Sequence, residues 1–218
     1  MFKKLVFLAA AVAATGALLG AGTAAADPTI AIGGGSGIII DDRFECTVTT
    51  IGNDGAGRLV GITAGHCGVP GSVVKSEANP RLGTIGRFAS SVESLDYAVI
   101  EFDRGKVIPV NRVGNATITG IGTPAAFPNI ICKEGRTTGH TCGVSYGDVF
   151  GSGVETWSQM CVIEGDSGAP VVLGSTLVGM VNAYLLTPCI GPEVGTNMTT
   201  ILDDINARGG VGAGFWPI

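Results

Sequence analysis

Residues 164–170 read EGDSGAP, and they lead directly into a short apolar run at residues 171–173. Ser167 follows an aspartate and precedes Gly168, so a hydroxyl stands where the backbone is free to turn sharply. A serine hydroxyl is a useful nucleophile only if a base takes its proton and N–H groups bind the oxyanion. By itself the stretch is also typical of a tight turn in a glycine-rich β protein, so the rest of the chain has to supply the base.

The chain offers two histidines as that base, His66 and His140, and neither follows Ser167. Their position excludes the order Ser, Asp, His of the α/β-hydrolases. His66 ends a predicted strand within TAGHC (63–67), whereas His140 lies in a polar turn and is predicted to be structural or exposed. Asp96 opens the apolar strand predicted at residues 95–102, where a half-buried carboxylate needs a partner.

The first 26 residues have the three parts of a secretory signal peptide in order: the basic start Lys3-Lys4, an apolar stretch at 5–19 and the small residues AAA at 24–26. The apolar stretch is too short and alanine-rich for a membrane span. We therefore predict an exported, extracellular protein with no membrane attachment once residues 1–26 are removed.

The composition of the mature chain narrows its partners and its fold. Without Lys3 and Lys4, 11 of the 13 basic residues remain against 18 acidic ones, a formal net charge of −7. This charge disfavours binding to nucleic acid or to anionic membranes. The 36 glycines and the absence of a long helical period favour many short strands. Roughly a dozen antiparallel strands in two groups predict an all-β chain of two barrels or a sandwich.

The chain divides, on this interpretation, into a loose mature N-terminus at 27–37, a first β-barrel at 38–112 and a second at 113–218. The second barrel carries the short helix predicted at 199–206. All six cysteines follow the signal segment, and an even number in an exported chain favours disulfides. Six cysteines allow 15 pairings, and a zinc site is the weaker alternative. They are Cys46, Cys67, Cys132, Cys142, Cys161 and Cys189.

Three motifs taken together resemble the chymotrypsin-like (trypsin-fold) serine proteases: TAGHC at 63–67, LDYAVI at 95–100 and GDSGAP at 165–170. The stretch CKEGRTTGHTCG at 132–143 is similar to a hairpin of the secreted bacterial branch, which includes α-lytic protease and the streptogrisins. The resemblance implies two antiparallel six-stranded β-barrels with the active site between them and a short C-terminal helix. It also implies an endopeptidase that acts on peptides or proteins. Nothing in the sequence calls for a metal or cofactor, and a monomer is the default expectation.

The same resemblance assigns roles to individual residues. His66, Asp96 and Ser167 are the expected catalytic triad, and the backbone N–H groups of Gly165 and Ser167 the expected oxyanion hole. The implied disulfides are Cys46–Cys67, Cys132–Cys142 and Cys161–Cys189.

Lys133 stands where the bacterial branch usually has an arginine, and we hypothesise that it supports Asp166. Only about ten residues precede residue 38 of the mature chain, whereas that branch usually has a long folding pro-region.

The expected substrate-binding residues depart from the usual pattern and are Cys161, Glu164, Asn182 and Tyr184. Tyr184 is bulky at the pocket mouth, and Glu164 at the rim disfavours acidic side chains, so small or medium apolar side chains are predicted there. Two alternatives stay open. One is a near-inactive relative that binds peptides in the same groove, and the other is an esterase on the same fold.

Overall fold

The structure is a computed structural model that describes residues 28–218 and consists of short strands and one α-helix. The predicted signal peptide at 1–26 lies outside these residues. Within residues 28–218, no helix combines the length and the apolar character needed to cross a membrane.

The first half of the chain forms one large sheet and two short pairs of strands. Its strands are β1 (Ile30–Ile32), β2 (Gly37–Ile40), β3 (Phe44–Thr47), β4 (Thr50–Asn53), β5 (Leu59–Ala64), β6 (Val73–Ser76), β7 (Thr84–Val92), β8 (Tyr97–Phe102), β9 (Val107–Pro109), β10 (Arg112–Val113) and β11 (Ala116–Thr117). Three single-turn 3₁₀ helices interrupt them at Gly65–Cys67, Pro80–Leu82 and Glu93–Leu95.

The second half forms a closed barrel followed by the helix. Its elements are β12 (Gly120–Ile121), β13 (Ile130–Gly135), β14 (Gly139–Gly147), β15 (Glu155–Ser158), β16 (Pro170–Leu173), β17 (Thr176–Tyr184), β18 (Glu193–Asn197), the helix α1 (Met198–Arg208) and β19 (Trp216–Pro217). The order β17-β16-β13-β14-β15-β18 closes because β18 also pairs with β17. This closure leaves six strands around one interior, and β12 adds outside them in parallel to β17.

The first sheet has the order β19-β4-β5-β8-β7-β6-β2-β3 and curls without closing through hydrogen bonds. The alternation of apolar and polar residues along 44–51 predicts one half-buried strand, but the structure has two, β3 and β4, separated at Val48 and Thr49. The N–H of Val48 donates to Ser36 and that of Thr49 to Ile62, so the chain bends there instead of continuing one ladder. The all-β fold of two barrels with a short C-terminal helix is confirmed, but the first barrel is an open, curled sheet.

Both ends of the described chain pack differently from the expectation. The predicted loose segment at 27–37 contains β1, which pairs in parallel with β9, and its glycines at 33–35 are buried. Only glycine fits at position 34, because a Cβ there would lie 2.5 Å from the carbonyl oxygen of Thr49. At the other end, β19 pairs with β4, so the last residues complete the first sheet and not the second barrel.

The hydrophobic core has two clusters. The first collects the inward-facing residues of the curled sheet together with residues of β16 and β17: Val172, Leu177 and Met180. The helix α1 covers this cluster with Met198, Ile201 and Ile205, which recur at helical spacing. The second core fills the closed barrel. The helix begins after Asn197, whose side chain bonds Thr156 and caps no N–H group of the helix.

Candidate active site

His66 lies in the short 3₁₀ turn that directly follows the end of β5. The Cys46–Cys67 disulfide ties this turn to β3. Gly65 lets the turn approach Asp96 closely, because a Cβ at residue 65 would lie 2.9 Å from the Tyr97 nitrogen and 3.0 Å from the Asp96 carbonyl carbon. This close approach brings the imidazole to the carboxylate of Asp96.

Asp96 has a left-handed backbone, with φ of +46°, between the Glu93–Leu95 turn and β8. Its carboxylate accepts the backbone N–H of His66 at 2.8 Å and lies 2.8 Å from His66 Nδ1. Burial works to raise the pKa of Asp96, but the hydrogen bonds from His66 and Asn182 outweigh it and hold the pKa below its ordinary value. Asp96 is therefore an ionised acceptor that orients the imidazole ring.

Ser167 Oγ lies 2.8 Å from His66 Nε2, on the opposite side of the ring from Asp96. Gly165 and Gly168 flank this serine with φ of +91° and +86°, a region that side-chain-bearing residues rarely adopt. The His66 imidazole thus lies between Asp96 and Ser167, at hydrogen-bond distance from each.

The loop that carries Ser167 is held by the first sheet as well as by its own barrel. The N–H of Thr47 donates to the Ser167 carbonyl at 2.8 Å, and the Thr47 hydroxyl donates to the Gly165 carbonyl at 2.9 Å. The Thr49 hydroxyl donates to the Gly168 carbonyl at 2.7 Å. These bonds start at the bend between β3 and β4, so the same bend that opens the first sheet fixes the serine loop.

The N–H groups of Gly165 and Ser167 make no hydrogen bond to any group within residues 28–218. Both therefore remain free to donate, as an oxyanion hole requires.

Asp166 is fully buried behind the serine loop. Its carboxylate accepts N–H groups of Thr137 at 3.0 Å, Thr138 at 3.1 Å and Ile163 at 3.2 Å, and the Thr138 hydroxyl at 2.5 Å. Lys133 Nζ lies 3.4 Å from the same carboxylate and is equally buried. Burial lowers the pKa of Lys133, whereas the negative charge of Asp166 acts in the opposite direction. The structure thus puts Lys133 beside Asp166, and it adds Thr137 and Thr138, which the motifs did not single out.

Asn182, one of the expected substrate-binding residues, contacts Asp96. Its side-chain N–H₂ donates to the Asp96 carboxylate at 2.8 Å and to the Asp96 carbonyl at 2.7 Å, and its oxygen accepts the Thr196 N–H at 2.7 Å. These bonds engage the side chain with Asp96 and Thr196, and the expected part of Asn182 in pairing with an extended peptide stays a prediction. A lone Asn in an apolar strand carries no sequence signal for that partner.

The side chains of Glu164 and Tyr184 are in contact beside the loop that carries Ser167. The Tyr184 hydroxyl donates to the Glu164 carboxylate at 2.7 Å, and this hydrogen bond lowers the pKa of Glu164. The Tyr184 ring packs against the core of the second barrel. The disulfide Cys161–Cys189 links the segment before the serine loop to the segment between β17 and β18.

The third disulfide, Cys132–Cys142, joins opposite residues of the β13–β14 hairpin. His140 lies in the same hairpin with Nδ1 3.4 Å from Glu134. Sulfur and histidine atoms cluster in two places within residues 28–218, and in both the cysteines are disulfide-bonded, so they offer no thiolate to a metal.

No model of a known protein family matches the chain. Solved structures do match: a chymotrypsin of Cellulomonas bogoriensis is 27% identical with a TM-score of 0.65, covering 87% of this chain and 99% of that one. The α-lytic protease homologue N4 is 25% identical with a TM-score of 0.62, covering 83% and 98%. A Nocardiopsis protease, 24% identical with a TM-score of 0.69, shares the fold over 81% and 97%.

Proposed function

We propose that this chain, a serine endopeptidase with the fold of the bacterial chymotrypsin-like proteases, cleaves peptide bonds through an acyl-enzyme on Ser167. The observation that carries the proposal is the position of the His66 imidazole, 2.8 Å from both the Asp96 carboxylate and the Ser167 hydroxyl. A base held in this way by an ionised acid is what a serine needs to become a nucleophile.

In the proposed reaction His66 Nε2 removes the proton from Ser167 as its oxygen attacks the scissile carbonyl. Asp96 accepts from Nδ1 and stabilises the imidazolium that forms. The N–H groups of Gly165 and Ser167 donate to the oxyanion of the tetrahedral intermediate. His66 then gives the proton to the leaving amine, and water repeats the sequence to release the acid. Loss of one such oxyanion donor typically costs about 3–4 kcal/mol of transition-state stabilisation.

Two further residues support this machinery in the proposal. Asn182 is a positioning residue, since it donates to the Asp96 carboxylate. Lys133 stabilises the buried Asp166, whose backbone continues directly into Gly165 and Ser167. We also propose that the protein is exported and works as a monomer, in agreement with its signal-like N-terminus and its three disulfides.

The experiment is labelling of the folded, exported protein with a fluorophosphonate, with Ser167→Ala as the control. We expect one label per chain on Ser167, and a burst of released chromophore with an activated ester followed by cleavage of an unfolded protein substrate. A chain that resists the label would contradict the proposal.

Two other candidate functions stay in view, and the same assays separate them. The hydrogen bond from Tyr184 to Glu164 favours a near-inactive peptide-binding protein, which would bind peptides without reacting. An esterase would turn over esters and leave amides intact.

A further inference from the structure

A cavity of about 360 Å³ opens directly beside Ser167 and His66. Gly165 forms its floor next to the expected oxyanion site, and Arg136 lies so close that a Cβ on Gly165 would be 2.6 Å from its guanidinium. We name this space the first-sheet cavity. The first sheet contributes the rest of its wall, except for Glu164, whose carboxylate is engaged by the Tyr184 hydroxyl. The first-sheet residues are Arg43, Phe44, Glu45 and the Cys46–Cys67 disulfide.

The position of the first-sheet cavity identifies the part of a substrate that would enter it. In acyl transfer the leaving amine takes its proton from the imidazole, so the leaving-group segment lies on the His66 side of Ser167. The acyl segment lies on the other side, where residues 182–184 of β17 extend beyond the end of the β16 ladder at Met180. The wall of the first-sheet cavity contains no residue of β17, so the cavity is on the leaving-group side.

The acyl side is more restricted. Tyr184 at the end of β17 donates to Glu164 at 2.7 Å, and Glu164 precedes Gly165 directly. This hydrogen bond joins the end of β17 to the segment before Ser167. A substrate side chain on the acyl side would have to pass between these two segments. A large acyl-side residue therefore has to break that hydrogen bond, whereas the first-sheet cavity is already open.

The lining of the first-sheet cavity has a definite chemistry. Phe44 is 54% exposed, and with the disulfide it offers an apolar wall inside a cleft. Arg136 is engaged by two carboxylates, Glu45 at 2.9 Å and Glu77, and so has little charge to offer.

Arg43 stacks over the Phe44 ring at 5.6 Å and makes no ion pair with any residue of the described chain. It is therefore the guanidinium of this cavity that remains available to a ligand.

We propose that this protein selects its substrates on the leaving-group side, with Phe44 and Arg43 as the specificity-determining residues. Phe44 takes an apolar side chain that directly follows the scissile bond, and Arg43 takes a carboxylate on the next residue. The inference rests on the proposed function, since the peptide lies in this cavity only if Ser167 attacks its carbonyl.

The test uses internally quenched peptides with one constant acyl side and different leaving-group residues. The first leaving-group position is leucine or glycine, and the second is aspartate or lysine. A second set holds the leaving group constant and varies the residue before the scissile bond. In the unmodified protein we expect kcat/KM to fall about tenfold or more from leucine to glycine, and about fivefold or more from aspartate to lysine.

Two variants then assign each preference to its residue. Phe44→Ala should reduce the leucine-to-glycine ratio below threefold, and Arg43→Gln should do the same to the aspartate-to-lysine ratio, each without affecting the other ratio. Ile108→Ala is the matched control, since Ile108 is an exposed apolar residue of β9 outside the first-sheet cavity, and it should preserve both ratios.

The outcomes separate this inference from the proposed function. If the fluorophosphonate fails to label Ser167, the proposed function fails first. If Ser167 is labelled but kcat/KM varies less than threefold with the leaving group, or varies more with the residue before the scissile bond, the inference alone is overturned. The comparison of peptides on the unmodified protein decides this even if a variant does not fold.

Discussion

Glu193 on β18 is the residue whose replacement should change the stability of the fold most informatively. Its side chain is 1% exposed inside the second barrel, where the Ser158 hydroxyl donates to one carboxylate oxygen and the other oxygen has no hydrogen-bond partner. Burial raises the pKa of Glu193 to about 8, although the Ser158 hydrogen bond and the charge of Lys133 act against the increase. Glu193 is therefore protonated at neutral pH in the folded chain.

The sign of the effect follows from linkage. Above its ordinary pKa of 4.5 the unfolded chain loses this proton, whereas the folded chain keeps it until about pH 8. Because the folded state then binds more protons, Glu193 lowers stability progressively from about pH 4.5 to pH 8. The shift between the two pKa values corresponds to about 5 kcal/mol at 1.36 kcal/mol per unit. Glu193→Gln keeps the acceptor for Ser158 and removes the ionisation, so it should remove this pH dependence.

The assay is urea unfolding at pH 4 and at pH 8 in a Ser167→Ala background, which prevents self-digestion. We expect the stability of Glu193→Gln relative to its parent to be about 3–5 kcal/mol more favourable at pH 8 than at pH 4. Glu101→Gln, an exposed position on β8, is the control and should change stability by less than about 0.5 kcal/mol at either pH. Equal effects of Glu193→Gln at the two pH values would refute the reasoning.

Three other substitutions test single contacts. Lys133→Met leaves Asp166 buried without its cation and should lower the free energy of unfolding by about 3–5 kcal/mol in urea, most of it recovered by Lys133→Arg; a loss under 1 kcal/mol would contradict this. Asn182→Ala removes a donor to an ionised carboxylate and the acceptor of the Thr196 N–H, so kcat/KM for a peptide should drop ~10–100-fold in protein that is still folded at the assay temperature, and an unchanged rate would exclude a positioning role. Asp54→Ala leaves the buried N–H groups of Arg58 and Gly212 without an acceptor and should cost about 2–3 kcal/mol; unaltered hydrogen exchange at residues 210–214 would argue against that anchor.

The prediction of a chymotrypsin-like serine protease is confirmed by the solved structures that match the chain. It was possible because motifs such as TAGHC and GDSGAP are short and contiguous, so their residue order survives in the sequence. The strand pattern was informative for a similar reason, since alternation along a strand is a local property. The prediction of one strand at 44–51 was wrong at its middle, where the N–H groups of Val48 and Thr49 donate to Ser36 and Ile62 on two different neighbouring segments.

Contacts between segments that are distant along the chain could not be predicted from the sequence. Asn182 and Asp96 are 86 residues apart, and nothing next to either residue indicates that the amide donates to the carboxylate. The segment at 30–32 was expected to be loose, but β9 offers it a parallel ladder that no local pattern reveals. Glu193 follows Gly191-Pro192 and has the composition of an exposed turn, yet the closure of β18 onto β17 carries it inside the barrel.

By itself, the sequence determined the all-β class, the reaction chemistry that was expected and the three side chains to which it is assigned. These depend on residue types and on order along the chain. Only the tertiary structure decided which groups surround them: Thr47 and Thr49 on the serine loop, Asn182 on the Asp96 carboxylate and the Tyr184–Glu164 hydrogen bond beside the open cavity. The physical reason is that hydrogen bonds and burial act over a few ångströms in space, whatever the number of residues that separates the partners along the chain.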